Sequence, residues 1–308
     1  MKCKICKETA NINLKYCGLK LCKTHFIEYI QKRVKRTIKR YQMVRREDKI
    51  AVALSGGKDS QTLLQILKKI YMDSNPLIGI HIDLGINNYS EASAKFVRIL
   101  CDELEVPVHI IDIKKEYNFT IDKVKETKKI KRPICANCGL VKRYVINAFA
   151  RKLKADVLAT GHVLDDEVSV LLSNLINGNF EQLIRGGPFL PSTDVSIVAR
   201  IKPLYEVSEY ETTLYAHFNN IPYIETPCPY DVNATISSYK EITNKLEEMH
   251  PGARYSLLRS YVKIYKKAFQ AYNTEKQQEI CHCTICGGPT ISNICAFCSL
   301  RKKLEGNT

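Results

Sequence analysis

The chain has 308 residues, 45% of them hydrophobic and 26% charged, and 47 Lys and Arg against 32 Asp and Glu give a formal net charge of +15. That length buries at least one full core and excludes a small disulfide-framed module, while the cationic excess calls for a polyanionic partner. Nucleic acid fits better than membrane, because no apolar stretch approaches the roughly 20 residues needed to span a bilayer and residues 1–6 are polar; the expected localisation is cytoplasmic.

In chain order, Cys3-x-x-Cys6 and Cys22-x-x-His25 come first. Two short turns each present two soft ligands, and two such edges complete a tetrahedron around zinc. A helical pattern follows through Phe26, Ile30, Val34, Ile38 and Tyr41, interleaved with Lys32, Arg33, Lys35, Arg36, Lys39 and Arg40, so one stripe packs and the rest offers cations to a phosphate backbone.

Residues 50–54 are an apolar run with the composition of a parallel strand covered on both faces, and residues 60–71 carry Leu63, Leu64, Ile66, Leu67 and Ile70 at helical spacing. Between them lies Ser55-Gly56-Gly57-Lys58-Asp59-Ser60. Its glycines let successive N–H groups turn toward one anion at a helix N-terminus, and Lys58 adds a mobile charge. The spacing is not that of a Walker A loop. Strands are then expected at 77–83, 108–113 and 157–160, with helices near 90–104 and 140–153 between them. This predicts an α/β fold with a doubly wound parallel sheet, flanked by N- and C-terminal zinc modules. In such sheets ligands sit beyond the carboxyl ends of the strands, and because Ser55 to Ser60 resembles the PP-loop of ATP pyrophosphatases, the resemblance implies an ATP site drawing on Ala53, Leu54 and residues Ser55 to Ser60, on His81 and Ile82, and on Gly161 and His162. Asp165 and Asp166 can hold Mg²⁺ against pyrophosphate, or one of them caps the helix that follows.

Cys135-x-x-Cys138 is expected just before a helix starting near Gly139, where N–H groups and the macrodipole lower thiol pKa values. Beyond residue 200 helical stripes are expected at 210–218, 236–249 and 253–272, and Cys283-x-x-Cys286 with Cys295-x-x-Cys298 forms a second zinc pattern. Six cysteines remain outside the two zinc sets: Cys17, Cys101, Cys135, Cys138, Cys228 and Cys281. Cys228 lies in the rigid stretch Thr226-Pro-Cys-Pro-Tyr230. Three thiolates at Cys135, Cys138 and Cys228 suit an iron–sulfur cluster with one iron open, or a redox pair with a bystander; spacing leaves both open, and gives Cys17, Cys101 and Cys281 no role. The expected organisation is a zinc finger over 1–27, a basic helix over 28–46, the nucleotide-binding domain over 47–205, a helical extension over 206–279 contributing Cys228, and a zinc ribbon over 280–308.

Taken together, Ser55 to Ser60, Cys135-x-x-Cys138-Gly-x-x-Lys142-Arg143, Gly161-His162-x-x-Asp165-Asp166-Glu167, Lys202-Pro-Leu-Tyr205, Cys228-Pro-Tyr230, Pro251-Gly252 and the two cysteine sets make the chain resemble the PP-loop tRNA 2-thiouridine synthetases of the TtuA and NcsA group over nearly its whole length. The resemblance implies a tRNA-uridine 2-sulfurtransferase: ATP adenylates the C2 oxygen of a tRNA uridine at the wobble or T-loop position, and sulfur displaces AMP. It implies a [4Fe-4S] cluster on Cys135, Cys138 and Cys228, catalytic positions at Lys142 and at Asp165 or Asp166, and two Zn²⁺. It also implies sulfide or a ubiquitin-like carrier as sulfur source, and a homodimer. A persulfide on Cys138 resolved by Cys228 is the rival route. Two other readings use part of the same sequence: a lysidine synthetase shares the adenylation but has no need of the three cysteines, and a non-catalytic zinc-ribbon RNA-binding protein leaves Ser55 to Ser60 without purpose.

Overall fold

The computed structural model describes residues 1–72, 74–231, 235–265, 267, 268, 271 and 281–306. At its centre is a six-stranded sheet of β3 (Ile50–Leu54), β4 (Leu77–Asp83), β5 (Val108–Asp112), β6 (Val157–Ala159), β7 (Phe189–Leu190) and β8 (Ala199–Ile201), in the order β5-β4-β3-β6-β8-β7. All neighbours are parallel except β7, which pairs antiparallel with β8. The edge pair was not legible in the sequence, because strands of two and three residues carry no measurable period.

The central strand shows why the sheet needs two covering layers. Ile50, Val52 and Leu54 face one core and Ala51 the other, as alternation along a strand requires. The first core is built with α1 (Lys23–Arg40), α2 (Lys58–Tyr71), α3 (Asn87–Glu103) and α9 (Glu209–Phe218). Leu63, Leu64, Ile66 and Leu67 of α2 are fully buried there, each contributing about 1.5–3 kcal/mol of transfer free energy. The second core takes Val141 and Val145 of α6 (Ile134–Lys152), with the short helices α4 (Ile113–Tyr117) and α5 (Ile121–Glu126) at its edge.

The chain leaves β3 toward β4 and β5, then returns to place β6 on the other side of β3. That reversal opens a crevice at the carboxyl ends of β3 and β6, where ligands of doubly wound sheets bind. Two further helices, α7 (Leu164–Ile176) and α8 (Phe180–Ile184), follow β6; α10 (Thr235–Met249) and α11 (Ala253–Ser260) pack on α7, and α11 runs into a π-helical turn at Tyr261–Tyr265. The end of the helical stripe anticipated to residue 272 lies largely outside the described residues.

Both termini dock on this body. A hairpin of β1 (Ile12–Leu14) and β2 (Leu19–Leu21) leads into α1 and shares the first core. At the other end β9 (Cys281–His282) and β10 (Pro289–Thr290) form a ribbon ahead of α12 (Ala296–Glu305). Phe297 of α12 stacks on Tyr144 of α6 with centroids 3.8 Å apart, anchoring the ribbon to the second core. Among the described residues no helix is long and apolar enough to cross a membrane.

Candidate active site and metal centres

The loop after β3 is shaped by close approach. Gly56 has φ +80°, and a Cβ there would lie 2.7 Å from the Ser93 carbonyl oxygen; a Cβ on Gly161, beyond β6, would lie 2.9 Å from Ser60 Cα. Only glycine allows the two strand ends to meet in this way. Within the loop the Ser55 N–H donates to Ser60 Oγ at 3.1 Å, and Ser60 Oγ donates to the Gly57 carbonyl at 2.9 Å. Gly57 caps α2 without a side-chain bond, so the first-turn N–H groups remain available to an anion.

Lys58 and Asp59 are held rather than loose. Lys58 Nζ lies 2.7 Å from Asp59 Oδ1 and 3.7 Å from Glu209 Oε1, and Thr212 Oγ1 donates to Asp59. Glu209 in turn accepts from Lys240 of α10 at 2.7 Å, and Lys240 reaches Asp166 at 3.3 Å. Burial works against the Glu209 carboxylate, but Lys240 and Lys58 outweigh it and hold its pKa below the ordinary range. Thr212, Glu209 and Lys240 lay outside the sequence reading, since single polar residues at scattered positions carry no local pattern.

The acidic pair divides. Asp166 lies in the first turn of α7, where its carboxylate accepts from the Val163 N–H at 3.4 Å, and its side chain is 36% exposed. Asp165 is 5% exposed, pairs with Arg254 of α11 and accepts from the Glu209 N–H at 2.7 Å. It thereby satisfies the first N–H of α9, whose N-cap is Ser208, and does not cap its own helix. Burial pushes the Asp165 pKa up despite Arg254. A carboxylate so enclosed is unsuited to a metal ion that keeps several waters, which leaves Asp166 as the accessible member.

His81 is almost fully buried and donates from Nδ1 to the Leu54 carbonyl at 2.8 Å, leaving Nε2 without a partner. Burial lowers its pKa, so the ring is neutral and Nε2 is a bare acceptor at the strand ends. Neighbouring Ile82 packs in the second core, and His162 bonds Thr160 Oγ1 at 2.9 Å. Ala53, on the face away from the α2 layer, is partly buried against that same second core.

The three remaining thiols gather beside this loop. α6 begins at Ile134, behind the N-cap Pro133, so Cys135 and Cys138 lie within its first turns and not ahead of it as the glycine at 139 suggested. Cys135 Sγ donates to the Tyr230 carbonyl at 3.1 Å, and Cys138 and Cys228 are partly buried against the same core. The segment carrying Cys228 is tied to the phosphate loop: the Ile224 N–H donates to the Gly56 carbonyl at 3.0 Å and Gln61 Nε2 to the Pro222 carbonyl at 3.1 Å. Contrary to the macrodipole expectation, burial raises the pKa of both Cys135 and Cys138, while Lys142, one turn after Cys138, acts against the rise. Cys135 and Cys228 lie near enough to Cys138 to act on its ionisation, yet the trio is not among the sets whose ligand atoms lie within 4.8 Å of one another. It is spread too widely for one metal ion and suits the corners of a larger group.

Two sets are that compact: Cys3, Cys6, Cys22 and His25, and Cys283, Cys286, Cys295 and Cys298. In the first, Cys22 Sγ is 3.2 Å and Cys3 Sγ 3.7 Å from His25 Nδ1, and Cys6 and Cys22 are 3.8 Å apart. In the second, Cys286 and Cys295 are 3.7 Å apart. Despite burial, backbone N–H groups bring the Cys3 and Cys283 thiols down to about 6. Such sets can hold a metal with the edge lengths of a tetrahedron. Cys17 and Cys281 are exposed and single, and Cys101 is buried in the first core, its thiol pushed up to about 12.

The cationic stripe of α1 is smaller than its sequence implies. Arg33 is buried, bonded to Glu211 at 3.0 Å and to Tyr16, and Arg40 pairs with Glu206 at 2.6 Å. Lys35, Arg36 and Lys39 are exposed.

Comparison with known proteins accounts for this arrangement. Residues 27–246 match the PP-loop domain family, and residues 2–27 match the N-terminal LIM domain of the 2-thiouridine synthetase TtuA. The chain is 43% identical to a tRNA-5-methyluridine(54) 2-sulfurtransferase of Pyrococcus horikoshii, over 99% of this chain and 96% of the relative, and 37% identical to the protein of that name from Thermotoga maritima, over 99% and 97%. Among solved structures, the U34-tRNA thiolase NcsA of Methanococcus maripaludis, seen with its [4Fe-4S] cluster, superposes with a TM-score of 0.84 at 30% identity, covering 99% of this chain and 96% of that one. With the phosphate loop, the two compact metal sets and the thiol trio all on one scaffold, the chain belongs to the PP-loop tRNA 2-sulfurtransferase family.

Proposed function

We infer that this protein replaces the C2 oxygen of a tRNA uridine with sulfur, and that the target is the T-loop uridine. The observation that carries the reading is the direct backbone link between the phosphate loop and the Cys228 segment, which supports placing nucleotide and sulfur chemistry on one rim. The T-loop is favoured because the two relatives named for position 54 are 43% and 37% identical, against 30% for the U34 thiolase.

A uracil C2 oxygen is a poor leaving group, so it must first attack the α-phosphorus of ATP, releasing pyrophosphate. In this reading the loop N–H groups and Lys58 bind the phosphates, and Glu209 yields its hold on Lys58 as they arrive. Lys240 balances Asp166, the accessible carboxylate for Mg²⁺, which would neutralise pyrophosphate oxygens. His81 Nε2 offers an acceptor near the strand ends where the nucleotide is expected. Sulfide then adds at C2 and the C2–O bond breaks, AMP carrying the oxygen away. Cys135, Cys138 and Cys228 would hold a [4Fe-4S] cluster, which supplies an open iron to present sulfide. Lys142 stands beside Cys138 to orient that end of the pocket, and the two compact sets would each hold Zn²⁺ structurally.

The protein is read as cytoplasmic, with sulfide or a ubiquitin-like carrier as donor, and as a homodimer. Support for the last is the exposure of the large apolar side chains Ile176, Phe180, Ile242 and Met249 on α7, α8 and α10.

Incubating anaerobically prepared protein with ATP, sulfide and unmodified tRNA, then digesting the tRNA to nucleosides, should yield 2-thiouridine derivatives that map to the T-loop. Pyrophosphate release without thiolation would transfer the reading to an amine-using PP-loop enzyme, and thiolation at the wobble position would overturn the T-loop assignment.

A further inference from the structure

Three arginines around α6 form no ion pair with a carboxylate among the described residues. Arg132 precedes α6, Arg143 lies on it, and Arg200 lies on β8 in register with Leu158, on the side of the sheet that α6 covers. Among the described residues none of the three guanidiniums has an ion pair or a side-chain hydrogen bond, whereas Lys202 pairs with Glu167 at 2.8 Å. Position 139 shows where Arg143 goes: a Cβ there would lie 3.1 Å from its Nη1, so the guanidinium folds back over the first turns of α6 beside Cys138. Arg132 is fixed from behind, because buried Asn137 donates to its carbonyl at 2.9 Å. It opens a groove of about 170 Å³ lined also by Lys131, Ser299 and Lys303, with α12 forming the far wall.

The cations sit close enough to repel. Partial burial and the charge of Arg132 lower the pKa of Arg143, with the Cys138 thiol acting against them, and burial with Arg143 does the same for Arg200. Like charges held together without a carboxylate are costly in the free protein and are relieved by an anion with several phosphates at regular spacing. A single phosphate would satisfy one guanidinium; an arc from the ribbon groove past Cys138 to β8 matches a chain of them.

We propose that Arg132, Arg143 and Arg200 seat the RNA sugar-phosphate backbone and deliver the target base to the thiol trio, in place of α1, whose exposed Lys35, Arg36 and Lys39 belong to the opposite layer. This rests on the sulfurtransferase reading. Arg143 and its neighbours are positioning residues, acting on the backbone rather than on the reacting atoms.

The test uses the full chain, prepared anaerobically, with an unmodified tRNA transcript. Binding is followed by fluorescence anisotropy over a range of KCl concentrations. The pair Arg132→Gln and Arg143→Gln should reduce the slope of log affinity against log salt by about two contacts' worth, and raise the KM for tRNA on the order of tenfold, with ATP KM, metal content and thermal melting unchanged. Arg143→Lys, which keeps the charge, should restore part of the slope, and Lys35→Gln with Arg36→Gln and Lys39→Gln should leave it unaltered. An unchanged slope in the arginine pair, or a slope lost only in the α1 triple, overturns the proposal while the sulfurtransferase reading stands. Wild-type protein that shows no salt-dependent tRNA binding overturns both, and preferential arc-dependent capture of an acidic peptide over tRNA would reassign the arc to a protein carrier.

Discussion

Lys58 and Asp59 show how far a loop residue's role depends on what it touches. Removing the Lys58 charge leaves the apolar packing of α2 intact, so Lys58→Ala should fold normally and lose pyrophosphate release by two orders of magnitude or more, roughly the cost of deleting one charge-stabilising group from a transition state. Wild-type release would remove the loop from the site. Asp59→Ala is expected to do more, because Thr212 donates to that carboxylate and ties α9 to α2; it should lower thermal stability as well as activity. Glu211 is a stricter case. Its carboxylate is fully buried with Arg33, Tyr16, Tyr255 and the Ser208 N–H around it. Glu211→Ala leaves a guanidinium uncompensated and should cost about 3–5 kcal/mol in urea unfolding; a loss under 1 kcal/mol would show that the network carries no such weight. His81 supplies a pH dependence with a definite sign. Its folded pKa is depressed, so below the ordinary histidine value of about 6.5 the unfolded chain takes a proton that the native state refuses, and stability falls as pH falls. The decline between pH 7 and 5.5 should be shallower in His81→Asn than in the wild type, by comparison of unfolding free energies.

At the scale of elements, legibility followed the strength of the local pattern. Residues 50–54 and 77–83 were readable to the residue, because a buried parallel strand is a continuous apolar run bounded by polar turns, and the two ligand quartets were readable because metal geometry imposes a spacing. The start of α6 was misplaced by five or so residues: Gly139 looks like a boundary, whereas Pro133 sets it, being tolerated where an N–H has no intrahelical partner. Arg33 was misread for a different reason. A helical wheel shows which face a residue occupies but not that Glu211, far away in sequence, meets it there. The same limit hid the partner of Asp165, whereas the antiparallel edge strand was too short to carry a period. What joins elements over distance is also what a mutation can expose: Phe297 anchors the ribbon helix α12 through its stack on Tyr144 and its edge contact with Tyr117. Phe297→Ala should cost about 3–5 kcal/mol if the ribbon unfolds with the body. A separate low-temperature transition, seen by calorimetry, would mean that the ribbon docks as an independent unit.

For the whole molecule the decisive question is which metals sit where, because the three cysteine groups ask for different things. The two compact quartets have ligand spacings suited to one ion each, and zinc in them would be colourless and redox-silent. The trio of Cys135, Cys138 and Cys228 is more open and lies against the nucleotide loop, where a cluster would absorb visible light and be lost in air. Protein prepared without oxygen should therefore contain iron and acid-labile sulfide in addition to about two zinc ions per chain. Cys135→Ala, Cys138→Ala and Cys228→Ala should each remove the iron, the colour and tRNA thiolation while zinc and ATP binding persist. Cys101→Ala should change none of these, since that thiol is enclosed in the first core with its pKa pushed up to about 12. The outcome that separates the two chemistries is activity in iron-free protein with every cysteine intact. Full-rate thiolation there would dispense with the cluster: with sulfide as donor, sulfide itself attacks the adenylated C2, and a persulfide on Cys138 that Cys228 resolves as a disulfide enters only where the donor carries sulfane-level sulfur. Activity that returns only with iron, and only while Cys135, Cys138 and Cys228 are all present, would fix the trio as the ligand set.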